Sequence, residues 1–241
     1  MKYYKKLITI IASSFEEINK FVNRGVILKH YSENNLDIKN IEFNSKNIQI
    51  IKSGVGIKNA RIAANYAVNN LKSEKIYFVG VCGALDSSLK IGDIIVGDSV
   101  YSLKKNRKIS LCKLTNNISH NIKTGGILTH NKFVNTSSDK HTLYQTTKAL
   151  VVDMETWGAA ELCEKFSRSI YAIRSVCDLK TDNLPELGYI YNTGGHLNKT
   201  KSIKYFSKNP YMFYKFIEFK FFKLKRASDS LSGFLLDLFN N

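Results

Sequence analysis

The sequence predicts an α/β fold, a sheet with helices packed around it, and two observations carry that expectation. Short β-branched runs alternate with helical patterns over the first 180 residues, which is the order in which such a sheet is built. The chain is also long enough, at 241 residues with 44% hydrophobic side chains, to bury one large core. LITIIA (7–12) reads as a first buried strand and NIQIIKSG (47–54) as a later one. After the turn GVG, the stretch from Ile57 to Leu71 is rich in alanine and reads as a helix. KIYFVGVCG (75–83) and DIIVGDSV (93–100) read as strands joined by a glycine-containing loop. GGILT (125–129) and ALVVD (149–153) are shorter strands, METWGAAELCEKF (154–166) is a helix, and SIYAIRSV (169–176) is another buried strand. The two prolines stand at 185 and 210, and no repeat or low-complexity linker interrupts the chain. The one boundary expected lies near 195–210, dividing an α/β domain (1–198) from a basic helical extension (199–241).

The net charge is +16, from 36 basic and 20 acidic residues, a balance that invites an anionic partner. Only six of the basic residues are arginine, at 24, 61, 107, 168, 174 and 226, so nucleic-acid binding is not expected. The charge concentrates between 199 and 226, where nine basic residues face the single acid Glu218. There YMFYKFIEFKFFKLKR (211–226) interleaves aromatics and lysines without a clean period, and Leu231, Phe234, Leu235 and Leu238 then fall on one helical face. Two readings of this extension stand: a basic helix folded on the domain or packed in an oligomer interface, or peripheral attachment to an anionic membrane surface. No apolar run approaches the roughly 20 residues that cross a bilayer. The first apolar stretch breaks after Ala12 and meets Glu16 and Glu17, so a secretory signal is not expected. Cysteines 82, 112, 163 and 177 show neither CxxC spacing nor the density of a disulfide scaffold. Reduced thiols, a cytoplasmic location and no structural zinc follow.

Several strands end in small or acidic residues, which is where open α/β sheets place ligands. In SSFEE, Ser14 and Glu17 have the spacing of a helix capping box, or the carboxylates serve a site. In VGVCGALDSSLKIGD (79–93), Gly80 and Gly83 allow a backbone to approach a ligand closely. In VVDMETWGAA, Asp153 and Glu155 flank Met154 at a strand-to-helix junction; capping explains one carboxylate there better than two. AIRSVCDLKTDN ends a buried strand in Arg174 and then Asp178, the latter either a turn cap or a functional acid. The GVG of 54–56 is a weak phosphate-cradle signal, lacking both GK[ST] and a third glycine.

Taken in order, strand one with FEE, KSGVGIKNA (52–60), GVCGALDSSLKIGDIIV (80–96), KFVNT (132–136), VVDMETWGAA (151–160) and IRSVCD (173–178) resemble the nucleoside phosphorylase and nucleosidase superfamily. That superfamily contains purine nucleoside phosphorylases and methylthioadenosine/adenosylhomocysteine nucleosidases. Val81, the ALDSSLKIGD wording and the basic extension look most like its hopanoid-associated phosphorylases. The resemblance implies a three-layer α/β fold of the phosphorylase/hydrolase type, with a mixed central sheet flanked by helices. It implies cleavage of the N-glycosidic bond of an adenine nucleoside-like substrate without metal or organic cofactor, phosphate being the candidate co-substrate. The expected reaction is phosphorolysis of a lipid-linked, hopanoid-type adenosyl group on the inner face of the membrane. Hydrolysis as in the methylthioadenosine/adenosylhomocysteine nucleosidases is the alternative, and a non-catalytic nucleoside-binding or membrane-associated protein is another. A homo-oligomer is the expected assembly.

By motif position the resemblance makes Asp178 the general acid at N7 of the purine and Glu155 the carboxylate that binds the ribose hydroxyls. Met154 would floor the sugar, Phe133 stack on the purine and the backbone of Val134 read its edge. Glu17, or else Glu16, would handle the nucleophile, and Val81 and Gly83 would belong to the substrate-binding site. The departures are a valine at 81 where many relatives have serine, Cys177 where serine is common, and Asp182 one residue further from Asp178 than in the nucleosidases. No phosphate-holding arginines are identifiable.

Overall fold

The structure, a computed structural model, describes residues 8–114, 122–191 and 197–240. Strand β1 (Ile8–Ala12) leads through a 3-10 turn (Phe15–Ile18) into the short helix α1 (Asn19–Val22). Then come β2 (Val26–Glu33), β3 (Leu36–Phe43), β4 (Lys46–Lys52), α2 (Ile57–Asn69), β5 (Lys75–Ala84), β6 (Ile94–Ser102), β7 (Arg107–Ser110) and β8 (Ile122–Thr129). After α3 (Ser137–Thr147) follow β9 (Val151–Asp153), α4 (Thr156–Lys165), β10 (Ser169–Asp178) and α5 (Leu187–Ile190). The extension consists of α6 (Lys199–Lys208), α7 (Pro210–Glu218), a π-helical turn (Phe219–Lys223) and α8 (Leu224–Asn240).

The strands form one mixed sheet. β1 lies parallel between β4 and β5, and β5 is parallel to β10. β10 then runs antiparallel to β6, β6 parallel to β8, β8 parallel to β9, and β9 antiparallel to β5. These last five strands therefore close into a ring, from which β1, β4, β3 and β2 extend.

Why the strands read as unbroken apolar runs is clear from the packing. Side chains alternate faces along a strand, and here both faces are covered. Ile11, Ile51, Phe78 and Ile95 pack with Ala60, Ala63, Ala64 and Ala67 of α2 and with Trp157, Ala160 and Cys163 of α4. Their neighbours Ile10, Ile50, Val79 and Ile94 face the other way, onto Phe21 of α1 and Leu231, Phe234, Leu235 and Leu238 of α8. This is the layered arrangement of helices on both faces of a sheet.

The sequence reading omits β2, β3 and β7, and the reason is physical. β2 is exposed along nearly its whole length, and its apolar residues Val26, Ile27 and Leu28 stand together at one end instead of alternating with polar ones. The tight reversals on either side of β3 place Asn34, Asn35, Asn44 and Ser45 at positive φ, a conformation that asparagine tolerates better than most residues. Leu7, the first residue of the expected strand 7–12, lies outside the described residues, as do positions 195 and 196 of the expected boundary. The lack of period in 211–226 has a cause as well. The π turn Phe219–Lys223 shifts the helical register between α7 and α8. Beyond it Leu231, Phe234 and Leu235 are fully buried, so α8 is a structural layer. Among the described residues no helix is long and apolar enough to cross a membrane.

Candidate active site

The carboxylates singled out in the sequence lie at the C-terminal ends of β1, β9 and β10. Ser14 caps the turn after β1 by accepting from the Glu16 N–H at 3.1 Å. That fixes the alternation of the next two side chains: Glu16 is exposed, while Glu17 turns inward, with Oε2 buried and without a hydrogen-bond partner. Burial first, and then the nearby Glu155 carboxylate, raise the Glu17 pKa to about 8; Arg174 and the Ser14 and Ser13 backbone act in the opposite direction.

Asp153 and Glu155 have different tasks. Asp153 accepts from Arg174 Nε at 2.8 Å, Thr129 Oγ1 at 2.7 Å and the Thr156 N–H at 3.2 Å, and it also takes the Thr156 hydroxyl. It is the cap of α4 and the anchor of Arg174. Glu155 accepts from the Gly56 N–H at 2.8 Å and the Met154 N–H at 3.1 Å. Burial, followed by the Asp153 charge, raises the Glu155 pKa to about 7 against the opposing pull of Arg174. The GVG turn, with Gly56 at φ 100°, thus spends its N–H on Glu155.

Arg174 is 1% exposed, inside the apolar strand β10. It stacks 4.6 Å from the Phe78 ring centroid and donates to Thr156 Oγ1 at 2.7 Å. Gly80 makes room for this arrangement: a Cβ there would lie 3.0 Å from Arg174 Nη1 and 3.2 Å from Glu17 Oε2. Glycine is the residue that lets guanidinium and carboxylate converge over β5.

Asp178 ends β10, where a bulge between Val176 and Asp178 sets it opposite Gly83. A Cβ on Gly83 would sit 3.0 Å from both carboxylate oxygens, so Gly83 serves the acid directly. Cys177 donates its thiol to Asp178 Oδ1 at 3.5 Å. Burial first, and then the Asp178 charge, push the thiol well above its ordinary range, so it is a neutral donor where serine is common. Lys140 of α3 forms an ion pair with Asp178 Oδ2. Burial raises the Asp178 pKa, and Lys140 opposes the rise. Asp182 plays a separate part, accepting from the Leu179 N–H at 2.8 Å and from Lys223 of the extension at 2.9 Å.

The remaining residues of the sequence reading surround this cluster less tightly. Met154 is half-buried between Asp153 and Glu155. Val81 packs on the cluster that contains Cys177, Leu187, Ile190 and Phe216. Val134 packs on the cluster of Leu85, Leu128, Ala149 and Val152, whereas Phe133 is 36% exposed, and a Cβ at Gly188 would lie 3.9 Å from its ring. Sequence reasoning missed Lys140 and the anchoring of Arg174 by Asp153. An arginine within a β-branched run was a visible signal; a lysine in the polar sequence SSDKHT was none. Among the described residues, no group of three or more His, Cys, Asp or Glu side chains is placed to hold a metal ion. The shallow surface depression bordered by Tyr189, Lys204 and Tyr205 contains none of these groups.

Comparison with known proteins gives a consistent picture. The model of the family described as the phosphorylase superfamily matches residues 6–188. The 5′-methylthioadenosine/S-adenosylhomocysteine nucleosidase of Staphylococcus haemolyticus is 25% identical over 197 residues, covering 72% of this chain and 86% of that protein. Native futalosine hydrolase of Helicobacter pylori superposes with a TM-score of 0.75 at 18% identity, over 99% of both chains. The 5′-methylthioadenosine/S-adenosylhomocysteine nucleosidase of Helicobacter pylori, bound to butyl-thio-DADMe-Immucillin-A, gives a TM-score of 0.75 at 20% identity, over 96% of this chain and 97% of that one. These two structures share the fold.

Proposed function

This chain belongs to the phosphorylase superfamily and is an enzyme of the nucleosidase and phosphorylase type; from that premise we propose that it hydrolyses the N-glycosidic bond of an adenine nucleoside substituted at C5′. The observation that carries the reading is the buried, unpartnered Oε2 of Glu17 beside Glu155 and Arg174. A carboxylate in that setting suits a base for water. Water attacks C1′ and gives its proton to Glu17 while the bonding electrons of the C1′–N bond leave with the purine, which takes a proton from Asp178. Glu155, held by two backbone N–H groups, accepts from the ribose hydroxyls and faces the positive charge that grows on the sugar. Two carboxyl groups kept in different surroundings are the arrangement that separates a base from an acid.

The relatives named above, nucleosidases and a hydrolase, support water as the nucleophile. Phosphorolysis of a lipid-linked adenosyl group is the competing reading, and it would bring a phosphate dianion against Glu17 and Glu155. The guanidinium of this cluster, Arg174, is already bonded to Asp153 and Thr156. Asp178→Asn tests the acid: kcat should fall by about 10²- to 10⁴-fold with a much smaller change in KM. Near-normal turnover on a substrate whose base needs protonation would remove Asp178 from the role.

A second reading concerns location. We infer that α6, α7 and the π turn rest on an anionic lipid surface. Ile203, Tyr211, Tyr214, Phe221 and Phe222 are exposed there among Lys201, Lys204, Lys208, Lys215 and Lys220. Exposed aromatics and lysines together suit a headgroup layer, each lysine contributing about 1 kcal/mol. Co-sedimentation with phosphatidylserine vesicles at low salt should succeed for the wild type and weaken for Phe221→Ser/Phe222→Ser. Failure of the wild type to sediment would end this reading.

A further inference from the structure

Helix α3 buries a single one of its eleven residues, and that residue is Lys140. Its side chain has no exposed surface. The Nζ has three acceptors: the Asp178 carboxylate, the Leu179 carbonyl at 2.7 Å and the Asp182 carbonyl at 3.2 Å. A neutral amine has two N–H donors and an ammonium three. The two carbonyls can only accept, and together with the Asp178 carboxyl group they favour an ammonium at Nζ and an ionised Asp178 beside it when the site is empty. The other titratable groups around Asp178 do not change this. Cys177 and Cys82 are buried thiols held neutral. Asp182 is engaged by Lys223, which also pairs with Glu218.

The acid of the reaction thus rests without the proton it must deliver. We infer that Lys140 is a positioning residue that keeps Asp178 ionised and aimed while the base pocket is empty, so that docking of the purine draws in the proton that the base later carries away. The inference rests on the reading of Asp178 as the acid. The protons balance over a cycle. One enters from solvent onto the Asp178 carboxylate as the purine docks and leaves on the purine. The proton taken from water by Glu17 returns to solvent, and Asp178 falls back onto Lys140. The three bonds of Lys140 also tie residues 178, 179 and 182 together, which fixes the carboxylate against Gly83.

Calorimetric titration with carbocyclic adenosine, whose N7 carries no proton and whose sugar lacks the ring oxygen that cleavage needs, repeated at neutral pH in buffers of different ionisation enthalpy, measures this directly. Wild-type protein should take up about one proton per nucleoside more than Asp178→Asn does. In Lys140→Met the buried Asp178 has no cation and is protonated beforehand, so the uptake should drop to the Asp178→Asn level while the nucleoside still binds. Lys140→Arg keeps the charge and should keep the uptake. Wild-type uptake in Lys140→Met would overturn the inference, as would loss of uptake in Lys140→Arg. If Lys140→Met does not fold, the comparison of wild type with Asp178→Asn still decides, because equal uptake in those two overturns it. Turnover separates the two claims. An active Asp178→Asn removes the acid assignment itself, whereas an inactive Asp178→Asn with wild-type proton uptake removes only the role of Lys140.

Discussion

Replacing Glu17 by glutamine should stabilise the protein at alkaline pH while removing its turnover. Folding buries this carboxyl and leaves Oε2 without a partner, moving its pKa from 4.5 to about 8. A carboxyl with a raised folded-state value holds its proton more tightly in the native than in the unfolded chain. Between the two values the native state binds more protons, so stability falls as pH rises. The fall begins near the unfolded value of 4.5 and is complete near 8. At about 1.4 kcal/mol per pH unit, the wild type loses roughly 3 kcal/mol by pH 7 and about 5 kcal/mol above pH 8. Glutamine, which resembles the protonated acid, escapes this loss. Urea unfolding of wild type and Glu17→Gln across about pH 5 to 9 should show curves that meet at the acid end and diverge steadily toward the alkaline end. The same titration should appear in catalysis. If the free enzyme needs Glu17 ionised, kcat/KM falls about tenfold per unit below pH 8. A stability difference independent of pH would refute the reasoning, since Glu17 would then not be a carboxyl held against its ordinary range.

Glu155→Gln should cost ribosides more than 2′-deoxyribosides, by roughly 1.5–3 kcal/mol in ΔΔG‡, as steady-state kinetics on matched substrates will show. A loss common to both sugars is also expected, because an amide offers one oxygen to the two N–H donors of Gly56 and Met154. Gly83→Ala places a methyl 3.0 Å from both oxygens of Asp178 and should lower kcat by about tenfold or more, with adenine release as the assay. Phe234→Ala, at a fully buried position of α8, should destabilise the protein by about 3–5 kcal/mol in urea unfolding, showing that this helix is part of the core.

The sequence was legible wherever a strand is buried on both faces. β1, β5 and β10 announce themselves because Ile10 and Ile11, Phe78 and Val79, or Ala172 and Ile173 all enter the core, and an apolar run is what such a strand requires. β2 was illegible for the opposite reason. In SSFEE the Ser14 hydroxyl caps the turn through the Glu16 N–H, while Glu17 turns inward toward the backbone of Ser13 and Ser14, so the spacing signalled a cap and a site carboxylate at once. Of Asp153 and Glu155, capping does account for one, Asp153. What a sequence cannot display is a partner brought from another element. Lys140 stands 38 residues from Asp178, and nothing in SSDKHT marks its side chain as buried.

The most direct test of the account is product analysis after incubation of the purified protein with 5′-substituted adenosines, such as 5′-methylthioadenosine, with and without phosphate. Chromatography should show free adenine and free 5′-substituted ribose, formed at the same rate in both conditions and without sugar 1-phosphate. Adenine release that depends on phosphate and yields the 1-phosphate would contradict hydrolysis. No adenine release from any adenosine tested would contradict the assignment of Glu17, Glu155 and Asp178 to this reaction.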